Sequence, residues 1–491
     1  MSDPANNKWK TLDRDLGRLG QVELATQFIA KPMVGIGIAL IFLILAGLGA
    51  AVFFWQQPPF LIIAAAAVFG GYMALNIGAN DVANNMGPAV GANALTMGGA
   101  IAIAAVAESA GALLAGGDVV STISKGIIDP AGVAQTEIFI WAMMAALISS
   151  AMWVNLATYV GAPVSTTHSV VGGVMGAGIA AAGFGAVNWA TMSKIAASWV
   201  ISPVLGGVIA AIFLAFIKAK IIYQEDKIAA ARRWVPVLIG IMAAAFASYL
   251  ALKGLKRIYK IDLSLALMIG AATGFLLYFV SRPLINRQSQ GLENRNKSLK
   301  ILFNIPLILS AAMLSFAHGA NDVANAVGPL AAIVHALEFD GAATKVAIPL
   351  WVMIIGAFGI SFGLFLFGPK LIRMVGSQIT KLNAMRAYCV ALSAAITVIV
   401  ASWLGLPVSS THIAVGAVFG VGFYREYEVK RRAQKTAKSS KGHSIAPEER
   451  KRRKLVRRSH FMTIIAAWVI TVPAAALLSA VIFLVLNVIF V

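Results

Sequence analysis

An eleven-residue stretch occurs twice in this chain, and each copy closes an apolar run long enough to cross a bilayer. The first is Gly78-Ala79-Asn80-Asp81-Val82-Ala83-Asn84, followed by Asn85-Met86-Gly87-Pro88. The second is Gly319-Ala320-Asn321-Asp322-Val323-Ala324-Asn325, followed by Ala326-Val327-Gly328-Pro329. Nine of the eleven residues agree at a constant offset of 241, which chance or packing preference does not produce. Each copy sets a carboxylate and two carboxamides at membrane depth. The chain therefore reads as a duplicated membrane protein with one ionisable site per half.

Composition agrees. Of 491 residues 59% are hydrophobic and only 12% charged, with a mean hydropathy of +0.82, which excludes a soluble enzyme. The 45 glycines suit closely packed membrane helices. One cysteine, Cys389, excludes an internal disulfide framework. The net charge of +20 sits mostly in short connections between apolar segments, so it signals membrane orientation and not nucleic acid. No cleavable signal peptide is expected, because the first apolar run is too long for a signal core. The charged leader before it is expected to stay in the cytoplasm.

Thirteen hydrophobic segments are expected, near 33–56, 59–79, 93–116, 138–160, 164–187, 190–217, 235–252, 262–280, 301–320, 346–368, 385–404, 408–424 and 461–490. They are solidly apolar, not alternating, so helices are expected and a barrel is not. Basic connections at 218–233, 281–300, 370–386 and 425–459 are assigned to the cytoplasm. The hairpin 235–280 fits least well, since its predicted outer loop from Lys253 to Lys260 holds four basic residues. By this count the first motif ends a segment running inward and the second ends one running outward. The fold class expected is an all-α polytopic membrane protein. It has two inverted repeats of about five membrane segments, with broken or re-entrant helices at the substrate site. The corresponding divisions are a leader (1–32), an extra span (33–58), a first repeat (59–218), a connecting hairpin (219–300) and a second repeat (301–491).

A second duplicated stretch follows each motif. Pro163-Val164-Ser165-Thr166-Thr167-His168 matches Pro407-Val408-Ser409-Ser410-Thr411-His412, and Gly172 and Gly176 match Gly416 and Gly420. Proline, a hydroxyl run and then a helical apolar pattern mark a helix start. Such a start offers unpaired N–H groups, a partial positive charge and hydroxyl donors, which together make an anion cradle. Two starts from inverted repeats would approach one point from both sides, an arrangement that fits a tetrahedral oxyanion. The bland alternative is that these hydroxyls merely cap helices or bond preceding carbonyls. Asp81 and Asp322 beside an anion need a cation or a substrate proton, unless they only cap broken helices. The oxygen-rich surroundings of Asn80, Asn84, Asn321 and Asn325 suit a hard cation such as sodium near Asp81 and Asp322. A carboxylate also accepts a hydrogen bond from a protonated oxyanion, which favours phosphate over sulfate. Glu108, the only glutamate inside an apolar run, is read either as a cation-coupling group or as a structural hydrogen-bonding one. His168 and His412 are read as packing histidines or as proton relays.

At these four stretches the sequence resembles the inorganic phosphate transporter family of the sodium/phosphate-symporter type, over roughly residues 60 to 490. The resemblance implies an inverted-repeat membrane fold and cation-coupled phosphate symport. By motif position it implies phosphate contacts from Asp81, Ser165, Thr166, Thr167, Asp322, Ser409, Ser410 and Thr411. Three features depart from the family pattern: the extra N-terminal leader and span, a hydrophobic hairpin between repeats, and no acid between Ala387 and Ser402.

The reading expected is a multi-pass inner-membrane symporter importing inorganic phosphate by alternating access, driven by protons or sodium. Arsenate is the expected competing ligand, lipid the surroundings, and a homodimer the expected assembly. No cofactor is expected. A sulfate permease on the same scaffold is the first rival, and a passive anion channel the second. A channel has no use for two buried aspartates. A membrane enzyme acting on phosphate esters lacks support, for no phosphate-cradling lysine loop or histidine cluster is evident.

Overall fold

The computed structural model describes residues 33–56, 59–128, 133, 135–160, 164–254, 261–339, 348–374, 382–439 and 458–491. The predicted leader 1–32, Pro163 and residues 440–457 of the predicted basic loop lie outside the described residues. The described chain is helical, with no strand and a single bridge between Ile128 and Val187. In order the helices are α1 (Met33–Phe53), α2 (Phe60–Asn80), α3 (Val82–Gly91), α4 (Met97–Ala115), α5 (Gly117–Ser121), α6 (Thr136–Val160), α7 (Thr166–Ala182) and α8 (Trp189–Ile217). They continue as α9 (Lys227–Lys253), α10 (Leu263–Gln288), α11 (Asn296–Leu302), α12 (Asn304–Phe339), α13 (Leu350–Met374), α14 (Ala384–Trp403), α15 (Ser410–Ser439) and α16 (Arg458–Phe490). A single turn at Asp81 divides α2 from α3, whereas the second motif runs unbroken through α12.

Among the described residues eleven helices are long and apolar enough to cross a membrane, with α2 and α3 counted as one. Two of the thirteen expected segments, 164–187 and 408–424, are not among them. Their helices are α7 and α15, the two that begin at the hydroxyl runs. With 17 residues α7 extends about 25 Å, short of a hydrocarbon core of about 30 Å. In α15 the apolar stretch ends at Arg425, after about the same length. Sequence hydropathy marks apolar character but does not fix the length of the helix that carries it. Helix α7 packs on α6, and α15 on α14.

The packing exchanges equivalents between the halves. Helix α2 packs on α13 while α12 packs on α4, and α7 packs on α16 while α8 packs on α15. Glycines make these approaches possible: a methyl group on Gly78 would lie 1.9 Å from the Ile360 carbonyl, and one on Gly319 would lie 2.2 Å from the Glu108 carbonyl. Gly78 matches Gly319, and Glu108 matches Ile360 by alignment of Ser109-Ala110-Gly111 with Ser361-Phe362-Gly363. Two matched pairs meet directly. The Ser109 and Ser361 hydroxyls are 2.8 Å apart, and the His168 and His412 rings pack edge to face with centroids 4.4 Å apart. Equivalent residues that touch each other lie where a two-fold axis between two copies would run. A third duplication, Trp199-Val200-Ile201-Ser202 and Trp468-Val469-Ile470-Thr471, lies in the helices α8 and α16 that receive α15 and α7.

The connecting hairpin is not a passive linker. Helix α9 packs on α10, and its Phe246 ring meets Phe316 of α12 edge to face, with centroids 5.0 Å apart. Lys253, the first of the basic residues that fitted poorly in an outer loop, forms an ion pair with Asp118 of α5. A charge that the loop rule counts as misplaced is thus neutralised inside the fold.

Candidate functional site

Asp81 and Asp322 come together in the interior, each 1% exposed, with Glu108 and His318 at 0%. Water reaches none of these four groups directly, so each charge must be met by the protein or by a bound ion. Oxygen and nitrogen atoms of Asp81, His318 and Asp322 all lie within 4.8 Å of one another. This is the only group of three or more such side chains close enough to hold a metal ion among the described residues.

The hydroxyl runs arrive over this cluster because α7 and α15 both start there. Ser165 and Ser409 take the capping part of the sequence expectation. Each hydroxyl oxygen accepts from a backbone N–H three residues on, that of His168 and that of His412, both at 3.2 Å. The next hydroxyls turn toward the aspartates. Thr166 Oγ1 donates to Asp81 Oδ2 at 2.6 Å, and Thr411 Oγ1 donates to Asp81 Oδ1 at 3.1 Å. Ser410 Oγ donates to Asp322 Oδ2 at 3.4 Å. Thr167 Oγ1 donates across to the Val408 carbonyl at 3.0 Å, so the two tips touch.

The asparagines hold the tips to the motif helices in matched pairs. Asn80 Nδ2 donates to Thr158 Oγ1 at 2.7 Å, and Asn321 Nδ2 donates to Ser402 Oγ at 3.0 Å. Asn84 Nδ2 donates to Thr411 Oγ1 at 2.9 Å, and Asn325 Nδ2 donates to Thr167 Oγ1 at 3.1 Å. In both latter bonds a motif residue of one half reaches the helix start of the other. The four motifs thus converge on one site at the boundary between the halves. His168 and His412 stand behind the cradle, packed on each other, and His168 also lies against Trp199 with ring centroids 3.9 Å apart. Trp199 Nε1 in turn donates to the Pro407 carbonyl at 3.1 Å, bracing the second tip.

Glu108 lies at the site and is bound from two sides. Asn85 Nδ2 donates to its Oε1 at 2.9 Å, and His318 Nδ1 lies 2.6 Å from its Oε2. His318 and Asn85 escaped the sequence reading. The signal was present as a defect in the repeat: Ile77 stands where the second copy has His318, and Ala326 where the first has Asn85. Polar residues that break an otherwise matched apolar repeat are where one half does something the other does not.

Comparison with known proteins decides the family. The chain matches the phosphate transporter family over residues 77–479. It belongs to that family. It is 46% identical over 526 aligned positions to a Helicobacter pylori (strain J99) protein named "Putative phosphate permease", covering 96% of this chain and 99% of that one. It is 36% identical over 447 positions to the chloroplastic inorganic phosphate transporter 2-1 of Arabidopsis thaliana, covering 86% of this chain and 71% of the other. A solved structure described as the sodium-dependent phosphate transporter matches with a TM-score of 0.78 and 36% identity, over 87% of this chain and all of that one. The protein is therefore a multi-pass membrane transporter and not an enzyme.

Proposed function

We propose that this transporter imports inorganic phosphate across the inner membrane by alternating access, in symport with a cation. The observation that carries this reading is the meeting of the α7 and α15 starts over two buried aspartates. Hydroxyls and helix N-termini favour an anion there. The carboxylates admit that anion only with a cation between them, or with a proton that the anion itself carries. Monohydrogen and dihydrogen phosphate bring such a proton, and sulfate does not. Phosphate is assigned contacts from Asp81, Thr166, Thr167, Asp322, Ser410 and Thr411, with Ser165 and Ser409 fixing the helix starts. Asn80, Asn84, Asn321 and Asn325 hold the cradle, and Asn325 also faces the cation. The exchanged packing of the two halves supports reading them as inverted repeats, with α6–α7 and α14–α15 as re-entrant hairpins. Sodium is favoured over the proton as the coupling ion, because the solved relative is described as sodium-dependent.

The test is uptake of labelled phosphate into proteoliposomes with sodium and pH gradients imposed separately. Accumulation driven by a sodium gradient, blocked by arsenate and insensitive to sulfate, is expected. Equal inhibition by sulfate and arsenate refutes phosphate as the preferred substrate. Uptake that never exceeds equilibrium under either gradient refutes symport.

A further inference from the structure

Two arginines stand where the other repeat has alanines. At the offset that matches Pro163 to Pro407, Arg386 corresponds to Ala142 and Arg425 to Ala181. In the first half that place is apolar. Ala142 and Ala145 of α6 cluster there with Ala177 of α7 and Phe483 of α16, and Ala181 packs against the group. In the second half two guanidiniums occupy the equivalent place, one from each helix of the α14–α15 pair. They lie at the end of that pair away from the cradle. Arg425 follows Ser410 by 15 residues, a rise of about 22 Å along α15.

Both side chains are half-buried, and neither is neutralised. Asn383 Oδ1, at the cap of α14, accepts from Arg386 N at 3.1 Å and from Arg386 Nε at 3.0 Å. That bond orients the guanidinium and leaves both its Nη groups without a hydrogen-bond partner among the described residues. The Arg425 side chain makes no hydrogen bond or ion pair among the described residues, and its charge is close enough to act on Arg386. Glu428 acts on Arg425 from one turn further along α15, but both its oxygens already accept, from Lys218 and from Tyr223. Lys218 also lies over the Tyr424 ring, 5.3 Å from its centroid. Three cations, Arg386, Arg425 and Lys218, thus share the one carboxylate of Glu428. Like charges held together away from water are costly, and a bound anion relieves that cost. Guanidiniums meet phosphate oxygens two at a time, which a lysine cannot do.

The surroundings select the kind of anion. Phe423 and Tyr427 flank Arg425 on α15 and are 46% and 60% exposed. Exposed aromatic residues beside basic ones mark the level of the lipid headgroups in a membrane protein. A basic pocket between membrane helices at that level suits the headgroup of an anionic lipid, whose acyl chains lie along the apolar helix surface.

We propose that Arg386 and Arg425 form a site for the phosphate group of an anionic lipid, at the base of the α14–α15 pair and separate from the cradle at its tip. Inorganic phosphate supplies the same oxyanion without acyl chains, and the exposed aromatic rim favours the lipid.

The test is thermal unfolding of the purified, delipidated full-length protein in neutral detergent. It is titrated with dioctanoyl phosphatidylglycerol and, separately, with dioctanoyl phosphatidylcholine. A lipid that binds only the folded protein raises the Tm. Phosphatidylglycerol should raise it in the natural protein, and phosphatidylcholine much less. In Arg386→Gln and Arg425→Gln the phosphatidylglycerol concentration giving half the rise should increase about tenfold or more. Arg425→Lys keeps the charge without the fork and should restore only part of the affinity. Lys430→Gln removes an equal charge from the exposed continuation of α15 and should leave the response unchanged. Equal loss in Lys430→Gln would mean a diffuse basic surface and overturns the site. So does an unchanged response in both arginine variants, or no response in the natural protein. Inorganic phosphate in place of lipid separates the two sources. Its effect on the Tm should be the same in the natural protein and in the Arg386→Gln, Arg425→Gln double variant. A phosphate response that the double variant loses would give the site to the free ion and overturn the lipid. If the glutamine variants do not fold, native mass spectrometry of the Arg386→Lys, Arg425→Lys double variant decides. It should retain less phosphatidylglycerol than the natural protein, and equal retention overturns the proposal.

Discussion

His318 presents Nε2 to Asp322 at 3.0 Å from one turn earlier on the same helix, in the place that Ile77 holds before Asp81. With Glu108 on the other nitrogen, Asp322 faces a chain of His318 and Glu108, whereas Asp81 is bound by two hydroxyls. A two-fold arrangement of backbone and hydroxyls thus holds an asymmetric set of ionisable side chains.

Removing one cradle hydroxyl tests the anion contact. Thr411 both accepts from Asn84 and donates to Asp81, and Thr166 donates to Asp81 from the other tip. Thr411→Val and Thr166→Val keep the shape and remove a donor. Each should weaken phosphate affinity by roughly ten- to a hundredfold, the equivalent of about 1.5–3 kcal/mol for a hydrogen bond to a charged group. The concentration dependence of phosphate uptake measures this. Unchanged affinity in either variant would mark that helix start as a structural cap alone.

Close helix crossings predict which glycines are irreplaceable. Gly78→Ala sets a methyl group 1.9 Å from the Ile360 carbonyl, while Gly98 has nothing within 4 Å. Gly78→Ala should destabilise the protein by about 1–3 kcal/mol or more, since backbone cannot give way as a side-chain end can. Gly98→Ala should be neutral or slightly stabilising. Thermal unfolding of the two variants side by side makes the comparison.

The Lys253–Asp118 pair fastens the connecting hairpin to the first repeat. Removing one partner leaves a charge in a poorly hydrated place, so Asp118→Asn and Lys253→Met should each lower the Tm. The Asp118 side chain is 31% exposed, so the loss should stay below the roughly 3–5 kcal/mol typical of a broken fully buried pair. The double variant should be less destabilised than the sum of the two single ones. Simple additivity would show that the pair contributes nothing.

Membrane topology is open to labelling. In a Cys389→Ala background, Gly185→Cys lies between α7 and α8, and Glu293→Cys lies between α10 and α11. An impermeant maleimide should reach Gly185→Cys from outside the cell and Glu293→Cys only from the cytoplasmic side. Reaction of both from one side would remove the inverted arrangement.

By itself the sequence determined the membrane class, the duplication and the residue types of the site. Long apolar runs admit only helices in lipid, and a motif that occurs twice at a constant offset leaves its mark in one dimension. It also named the hydroxyls and aspartates that meet. Tertiary structure decided the rest. Hydropathy sums apolar character along the chain and does not fix the length of the helix that carries it, so 164–187 and 408–424 read as spans although among the described residues neither α7 nor α15 is long and apolar enough to cross a membrane. Which hydroxyl caps its own helix and which faces a carboxylate depends on side-chain direction. Ser165 and Thr166 are neighbours in sequence with different partners. The pairing of Glu108 with His318 joins residues 210 positions apart on different helices. No local pattern encodes such a contact, because it arises only where α4 crosses α12 at Gly319 closely enough for the two side chains to meet.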